Sequence, residues 1–96
     1  MNFLVIINPN SGKRKSISVF KKYLKPSLEN NLFRYEIKTT THSGHAKQII
    51  ESIDLLKFNA ILVLGGDGTM HEVINGLLKR KDKINLPIGN IPTGSG

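Results

Sequence analysis

The residues best suited to chemistry are Gly65-Gly66-Asp67-Gly68-Thr69. They follow a wholly apolar run, Ala60-Ile61-Leu62-Val63-Leu64, and precede a helical pattern that begins at Met70. Strand, glycine-rich turn and helix together aim several backbone N–H groups at one point, the arrangement that binds an anion. The three glycines are expected to supply positive φ angles and room for a ligand to reach the main chain. The one charged side chain in the turn is Asp67. A carboxylate beside bare phosphate is repelled, so it requires a partner. A Mg²⁺ ion carried on the phosphates, or an acceptor hydroxyl awaiting deprotonation, would each serve. The stretch therefore reads as the nucleotide-phosphate loop of a phosphoryl-transfer site. It is neither the dinucleotide G-x-G-x-x-G pattern nor the Walker pattern. Thr69 and Glu72 stand three apart, as a capping box requires, with Thr69 at the N-cap. His71-Glu72 resembles the start of a zinc-binding H-E-x-x-H, but position 75 is Asn and that metal reading fails.

The elements that must position this loop can be read in order. Phe3 to Ile7 is an unbroken apolar run closed by Asn8-Pro9, which predicts a strand buried on both faces. Asn8-Pro9-Asn10-Ser11-Gly12 is a turn signal followed by Lys13-Arg14-Lys15. Ser16 is a candidate N-cap for a helix whose Ile17, Phe20 and Leu24 share a face, and Pro26 should end or kink it. Arg34-Tyr35-Glu36-Ile37-Lys38 alternates polar and apolar, as a half-exposed edge strand does. After a polar loop from Thr39 to Gly44, with Ser43 as candidate N-cap, Ala46, Ile49, Ile50 and Ile53 follow at amphipathic-helix spacing. Ala60 to Leu64 is the second buried strand. Met70, Val73, Ile74 and Leu77 repeat the helical spacing, and Gly76 among them predicts a close packing neighbour. Lys79, Arg80, Lys81 and Lys83 crowd that helix's C-terminal end, where positive charge suits the macrodipole. Pro87 to Ile91 is a weaker strand, and Pro92-Thr93-Gly94-Ser95-Gly96 turns again.

Strand and helix alternate three times before a final strand, which predicts a three-layer parallel α/β sheet, β-α-β-α-β-α-β. Buried strands one and three belong at the centre, giving the order 2-1-3-4 with the reversal between strands one and three. Ligands bind such sheets beyond the carboxyl ends of the strands at that reversal. Asn8 to Gly12, Thr40, Gly65 to Thr69 and Ser95 would all lie along that edge.

Composition narrows the partners. Fourteen Lys and Arg against seven Asp and Glu give a net charge of +7, which favours anionic ligands or an acidic membrane surface. The absence of cysteine excludes disulfides and thiolate metal sites. The first residues lack a basic region ahead of their short apolar run, so no signal peptide is expected. No stretch approaches the roughly 20 apolar residues of a membrane span. A cytoplasmic protein with at most peripheral membrane contact is the expectation.

Taken together, the motifs resemble the diacylglycerol kinase catalytic domain shared by diacylglycerol, sphingosine and related bacterial lipid kinases. The resemblance rests on Asn8-Pro9-x-Ser11-Gly12, Thr40-x-x-x-x-His45-Ala46 and Gly65-Gly66-Asp67-Gly68-Thr69. His71-Glu72-Val73-Ile74-Asn75-Gly76-Leu77 and Pro92-Thr93-Gly94-Ser95-Gly96 complete it, so it runs from Asn8 to the last residue. It implies ATP as co-substrate with Mg²⁺, and transfer of the γ-phosphoryl group to a lipid hydroxyl. It implies that Asn8, Pro9, Asn10, Ser11, Gly12, Lys13 and Thr40 surround the nucleotide. Gly65, Gly66, Asp67, Gly68, Thr69, Glu72, Thr93, Gly94 and Ser95 would complete that shell. Asp67 matches the family's acidic residue credited with metal-linked or general-base work, and no residue here is a dedicated metal ligand. No nucleic-acid partner is expected. The family's nucleotide-binding domain continues past this point and a β-rich second domain carries the lipid site. The chain is therefore expected to be the N-terminal part of the ATP-binding domain, a truncated piece inactive alone.

Two rivals are carried. A kinase of the NAD kinase type has a similar glycine–Asp loop, but the Asn-Pro-x-Ser-Gly opening and His-Glu-Val-Ile-Asn-Gly-Leu continuation do not suit it. A non-catalytic basic module binding anions or nucleic acid predicts steeply salt-dependent binding and little loss on Asp67→Asn.

Overall fold

A computed structural model of the chain describes residues 1–11 and 14–93. Its four strands are β1 (Asn2–Ile7), β2 (Arg34–Thr39), β3 (Ala60–Leu64) and β4 (Ile88–Ile91). All pair in parallel in the order β2-β1-β3-β4. Register places Val5 between Ile37 and Leu62, so β1 is central, bonded on both sides. The expected three-layer architecture and strand order are those of the molecule.

The unbroken apolar strands are explained by what covers each face. Leu4, Ile6, Ile61 and Val63 point to one side. There they meet Ala46 and Ile50 of α3 (His45–Ser52) and Val73 of α4 (Asp67–Lys79). Val5, Ile7 and Leu64 point to the other, against Phe20 and Leu28. Alternation by one residue sends successive side chains into opposite cores, so a strand covered twice must be apolar throughout. β2, at the sheet's edge, leaves Ile37 39% exposed. Between α3 and β3 a short turn, Leu55–Lys57, buries Leu55 and Phe58 against the first core.

The first connection is a single helical rod in three parts: α1 (Ser16–Val19), a π-helical turn (Phe20–Leu24) and α2 (Lys25–Asn30). Pro26 does not end it. Proline has no N–H for the carbonyl four residues earlier, and the chain widens to π geometry just before it, then continues. The wider turn also rotates the apolar stripe. Phe20 and Leu28 are buried whereas Ile17 is 40% exposed, against the expected shared face. Ile74 of α4, 43% exposed, likewise falls outside its stripe.

Three expected N-caps are not caps. Ser16 is the first helical residue after Lys15 and is fully buried. Its hydroxyl lies 3.3 Å from that of Ser11. Gly44, not Ser43, precedes α3, at φ +85°, a left-handed conformation that favours glycine. Gly66, not Thr69, precedes α4.

Gly76 does have the close neighbour that its position implied. A Cβ there would lie 2.8 Å from Ile50 Cβ and 2.9 Å from the Lys47 carbonyl oxygen, so α3 and α4 touch through the missing side chain. Arg80 completes this helix pair. It lies just past α4, yet its guanidinium bonds the carbonyls of Ile50 in α3 and of Ile53 just after it at 2.8 and 2.7 Å and pairs with Asp82. Its charge thus serves the C-terminal end of α3 rather than only that of α4.

Candidate functional site

At the carboxyl ends of β1, β2 and β3 the three following loops enclose a cleft of about 390 Å³. Asn8, Asn10 and Ser11 line it from the first loop, Thr40, His42 and Ser43 from the second, Gly66 from the third, and Gly68, Thr69 and Glu72 from the start of α4. The chain turns opposite ways from β1 and β3, and the crevice between them is where open parallel sheets take ligands.

Asn8 joins the first and third loops. Its backbone N–H continues the ladder to the Leu64 carbonyl at 2.9 Å. Its side-chain amide donates to Thr69 Oγ1 at 3.0 Å, and its Oδ1 accepts from the Asn10 N–H at 3.0 Å. Ser11 Oγ donates to the Asn8 carbonyl at 3.0 Å, which folds the loop back on itself. Thr69 is buried, and a Cβ on residue 65 would stand 2.6 Å from its hydroxyl. Gly65 therefore makes room for Thr69 and does not line the cleft.

Gly66 and Gly68 do line it, and a Cβ on either would meet none of the described residues beyond its own stretch of chain within 4 Å. Their value is open space above the main chain. None of the three loop glycines has positive φ: Gly44 alone among the described glycines does. The expectation of left-handed backbone in this loop is corrected accordingly, because α4 starts at once and Gly66 is simply extended (φ −90°, ψ −170°). The N–H groups of Thr69 and Met70 both turn back to the Gly66 carbonyl, at 3.1 and 3.2 Å. The amides of Asp67 and Gly68 precede these bonds, have no carbonyl of their own helix to reach, and have no backbone partner among the described residues.

Glu72 faces the second loop. Its two carboxylate oxygens accept from the Gly44 and Ala46 N–H groups at 3.1 and 3.2 Å. The capping box with Thr69 does not form, since Thr69 sits within the first turn and Glu72 reaches the N-terminus of α3 instead. A carboxylate there meets the positive end of that helix's dipole and ties the α3 loop to α4.

Not every residue named from the sequence enters the cleft. Asp67 is exposed on the first turn of α4, beside the lining residues rather than among them. Pro9 lies in the first turn away from the lining, and Thr93 is buried past β4. Gly12, Lys13, Gly94 and Ser95 lie outside the described residues. His42 and Ser43 are lining residues too, although the sequence marked Ser43 only as a helix cap and did not mark His42. Their place after β2, on the same sheet edge as Thr40, was the available signal.

Among the described residues no three His, Asp or Glu side chains gather into a ready metal site. Mg²⁺ is commonly held by one or two carboxylates together with substrate phosphates. One exposed acid at the rim fits an ion that arrives on phosphate, not one caged by protein. No helix among the described residues is long and apolar enough to cross a membrane.

Comparison with known proteins adds to this geometry. The sequence profile of the diacylglycerol kinase catalytic domain matches residues 2–96. Sphingosine kinase 1 of Caenorhabditis elegans is 46% identical over 99% of this chain and 21% of its own length. Sphingosine kinase 1 of Homo sapiens is 36% identical over 97% of this chain and 25% of its own. A crystal structure of a diacylglycerol kinase from Bacillus anthracis superposes with TM-score 0.76 at 30% identity, covering 97% of this chain and 31% of that one. The chain thus spans about a fifth to a quarter of the curated relatives.

Proposed function

Because the chain belongs to the diacylglycerol kinase catalytic-domain family, we propose that its cleft holds the phosphates of ATP for transfer of the γ-phosphoryl group to a lipid hydroxyl. The observation that carries the reading is the open space above Gly66 and Gly68, beside the amides that begin α4 and within a ring of Asn, Ser and Thr side chains. Such a site offers donors and excludes bulk, which is what a polyphosphate needs. Phosphoryl transfer depends on positioning and charge neutralisation more than on covalent help from the protein.

In this reading each part has a task. The bond from Asn8 to Thr69 fixes two loops in register, and the Asp67 and Gly68 amides bind phosphate oxygens. Asp67, at the rim rather than beneath the phosphates, receives the acceptor hydroxyl's proton or steadies the metal-bearing end of the nucleotide. Mg²⁺ bound with ATP would neutralise the charge shared by the terminal phosphates. The chain is the N-terminal part of the nucleotide-binding domain, and the acceptor is held by a β-rich domain elsewhere in the full protein. We take a sphingoid base as the first acceptor to test, since relatives named sphingosine kinase share 36–46% of the residues. The +7 charge supports peripheral contact with an acidic cytoplasmic membrane where such an acceptor resides.

Titration calorimetry of the 96-residue chain with Mg·ATP should give weak, saturable binding that Gly68→Ala abolishes. Labelled-phosphate transfer by the gene's full-length product, with sphingosine or diacylglycerol in mixed micelles, should vanish with Asp67→Asn. Binding indifferent to Gly68→Ala would remove the cleft from the mechanism, and steady lipid phosphorylation by the 96-residue chain would overturn the division of labour.

A further inference from the structure

The second loop holds a pair of histidines whose hydrogen bonds give them different protonation behaviour. His42 and His45 stack with ring centroids 4.5 Å apart and 10° between planes. His45 Nδ1 accepts the Thr41 backbone N–H at 2.9 Å, so its own proton must sit on Nε2. His42 Nε2 lies 3.3 Å from Gln48 Oε1, an acceptor, which leaves His42 Nδ1 to accept the Thr41 hydroxyl at 2.8 Å.

A proton gained at His42 breaks no backbone hydrogen bond. The new N–H on Nδ1 donates to Thr41 Oγ1, and the exposed Thr41 hydroxyl turns its proton to water, because the one lone pair of His45 Nδ1 is taken by the Thr41 N–H. Protonation of His45 instead destroys the bond from the Thr41 amide and sets two N–H groups against each other. The geometry thus lets His42 gain a proton without losing a backbone hydrogen bond, whereas His45 would lose one.

His42 lines the cleft and His45 does not. We propose that His42 is an anion-binding residue of this cleft, and that its protonation makes phosphate binding tighten as pH falls. The inference rests on the phosphate reading of the cleft above. Other charges around the pair do not cancel it. Glu72 of α4 also lines the cleft, but both its oxygens are engaged by backbone N–H groups. Lys38 of β2 lines a neighbouring hollow together with His45, and its ammonium pairs with Glu36 at 3.5 Å. Asp67 is exposed at the start of α4.

The direction follows from linkage. A bound polyanion favours the imidazolium over the neutral ring, so ligand and proton strengthen each other's binding. The added affinity is greatest at low pH, where the imidazolium is present, and is lost as pH rises. Linkage to one proton is worth at most about tenfold per pH unit, and an exposed imidazole should give roughly three- to tenfold.

The test combines imidazole NMR with Mg·ATP titrations between pH 5.5 and 8 on wild-type chain and His42→Gln. ATP titrates in the same range, so the quantity compared is the ratio of Kd at the two pH values in each protein. The wild-type ratio should exceed that of His42→Gln by three- to tenfold, with His42 titrating and His45 remaining the Nε2–H tautomer. Equal ratios with binding intact, or His45 titrating first, would overturn the proposal and leave the phosphate reading standing. No binding of Mg·ATP by either protein at any pH would overturn both.

Discussion

Replacing Gly76 by Ala sets two effects of opposite sign against each other. Inside an isolated helix the change favours folding by about 1 kcal/mol, because Gly loses more backbone freedom than Ala. Here the new methyl stands 2.8 and 2.9 Å from Ile50 Cβ and Cγ2 and 2.9 Å from the Lys47 carbonyl oxygen. Carbon atoms rest about 3.5–4.0 Å apart, so the helices must separate by roughly 0.6–1 Å. Neither the Ile50 Cβ nor a helical carbonyl can rotate away. Separation loosens Ile50 and Val73, both fully buried in the same core. Overpacking of this kind costs about 1–3 kcal/mol, and the immovable backbone oxygen argues for the upper end. The net expectation is a loss of about 2 kcal/mol, or roughly 8–16 °C in Tm for a domain of this size. Urea unfolding followed by circular dichroism measures it, with an unchanged slope confirming that the folded state is affected. A variant as stable as the parent, or more so, would refute the contact through Gly76.

Gly68→Ala, in the same helix but meeting none of the described residues beyond its own stretch of chain within 4 Å, should unfold no earlier than the parent and gain up to about 1 kcal/mol in the same urea experiment. Arg80→Ala should cost about 2–3 kcal/mol in thermal unfolding, since two carbonyls at the C-terminal end of α3 lose a charged donor, and Arg80→Lys should recover only part because an ammonium lacks the planar fork. Acid unfolding should report two exposed carboxylates held below their usual range: Asp82 by the Arg80 guanidinium and the Ile84 N–H, Glu36 by the Lys57 and Lys38 ammonium groups. With folded pKa values depressed, their contribution is present above about pH 4 and is lost as pH falls through the folded values, so Asp82→Asn should flatten stability against pH below that point. Glu72→Ala should speed hydrogen exchange at the Gly44 and Ala46 amides, and exchange rates unchanged there would show that the carboxylate does not hold the loop.

Much of the architecture was legible because parallel sheets leave a simple mark. Phe3 to Ile7 and Ala60 to Leu64 are apolar at every position, and only strands covered on both faces need that. The placement of three loops on one sheet edge followed directly, and with it Asn8, Thr40 and Thr69 at one cleft. Helix ends were less legible. Ser16, Ser43 and Thr69 are all good capping residues by type, yet the N-caps are Lys15 and Gly44, one residue away, and Gly66, three residues away. A cap depends on where backbone amides point, and at α3 the carboxylate of Glu72, distant in sequence, takes two of them.

The sequence by itself determined the layers, the strand order and the edge of the sheet that carries the polar loops. These follow from short-range periodicity, which every residue of a strand or helix records. Only the tertiary structure decided what individual side chains do there. Glu72 serves the helix across the cleft, Arg80 ends α3 although it follows α4, Gly65 yields its space to Thr69, and His42 differs from His45. The roles of Glu72 and Arg80 turn on contacts of about 3 Å with residues far apart along the chain, which exist only after the sheet has brought its loops together; those of Gly65 and His42 turn on local geometry that residue types alone do not record.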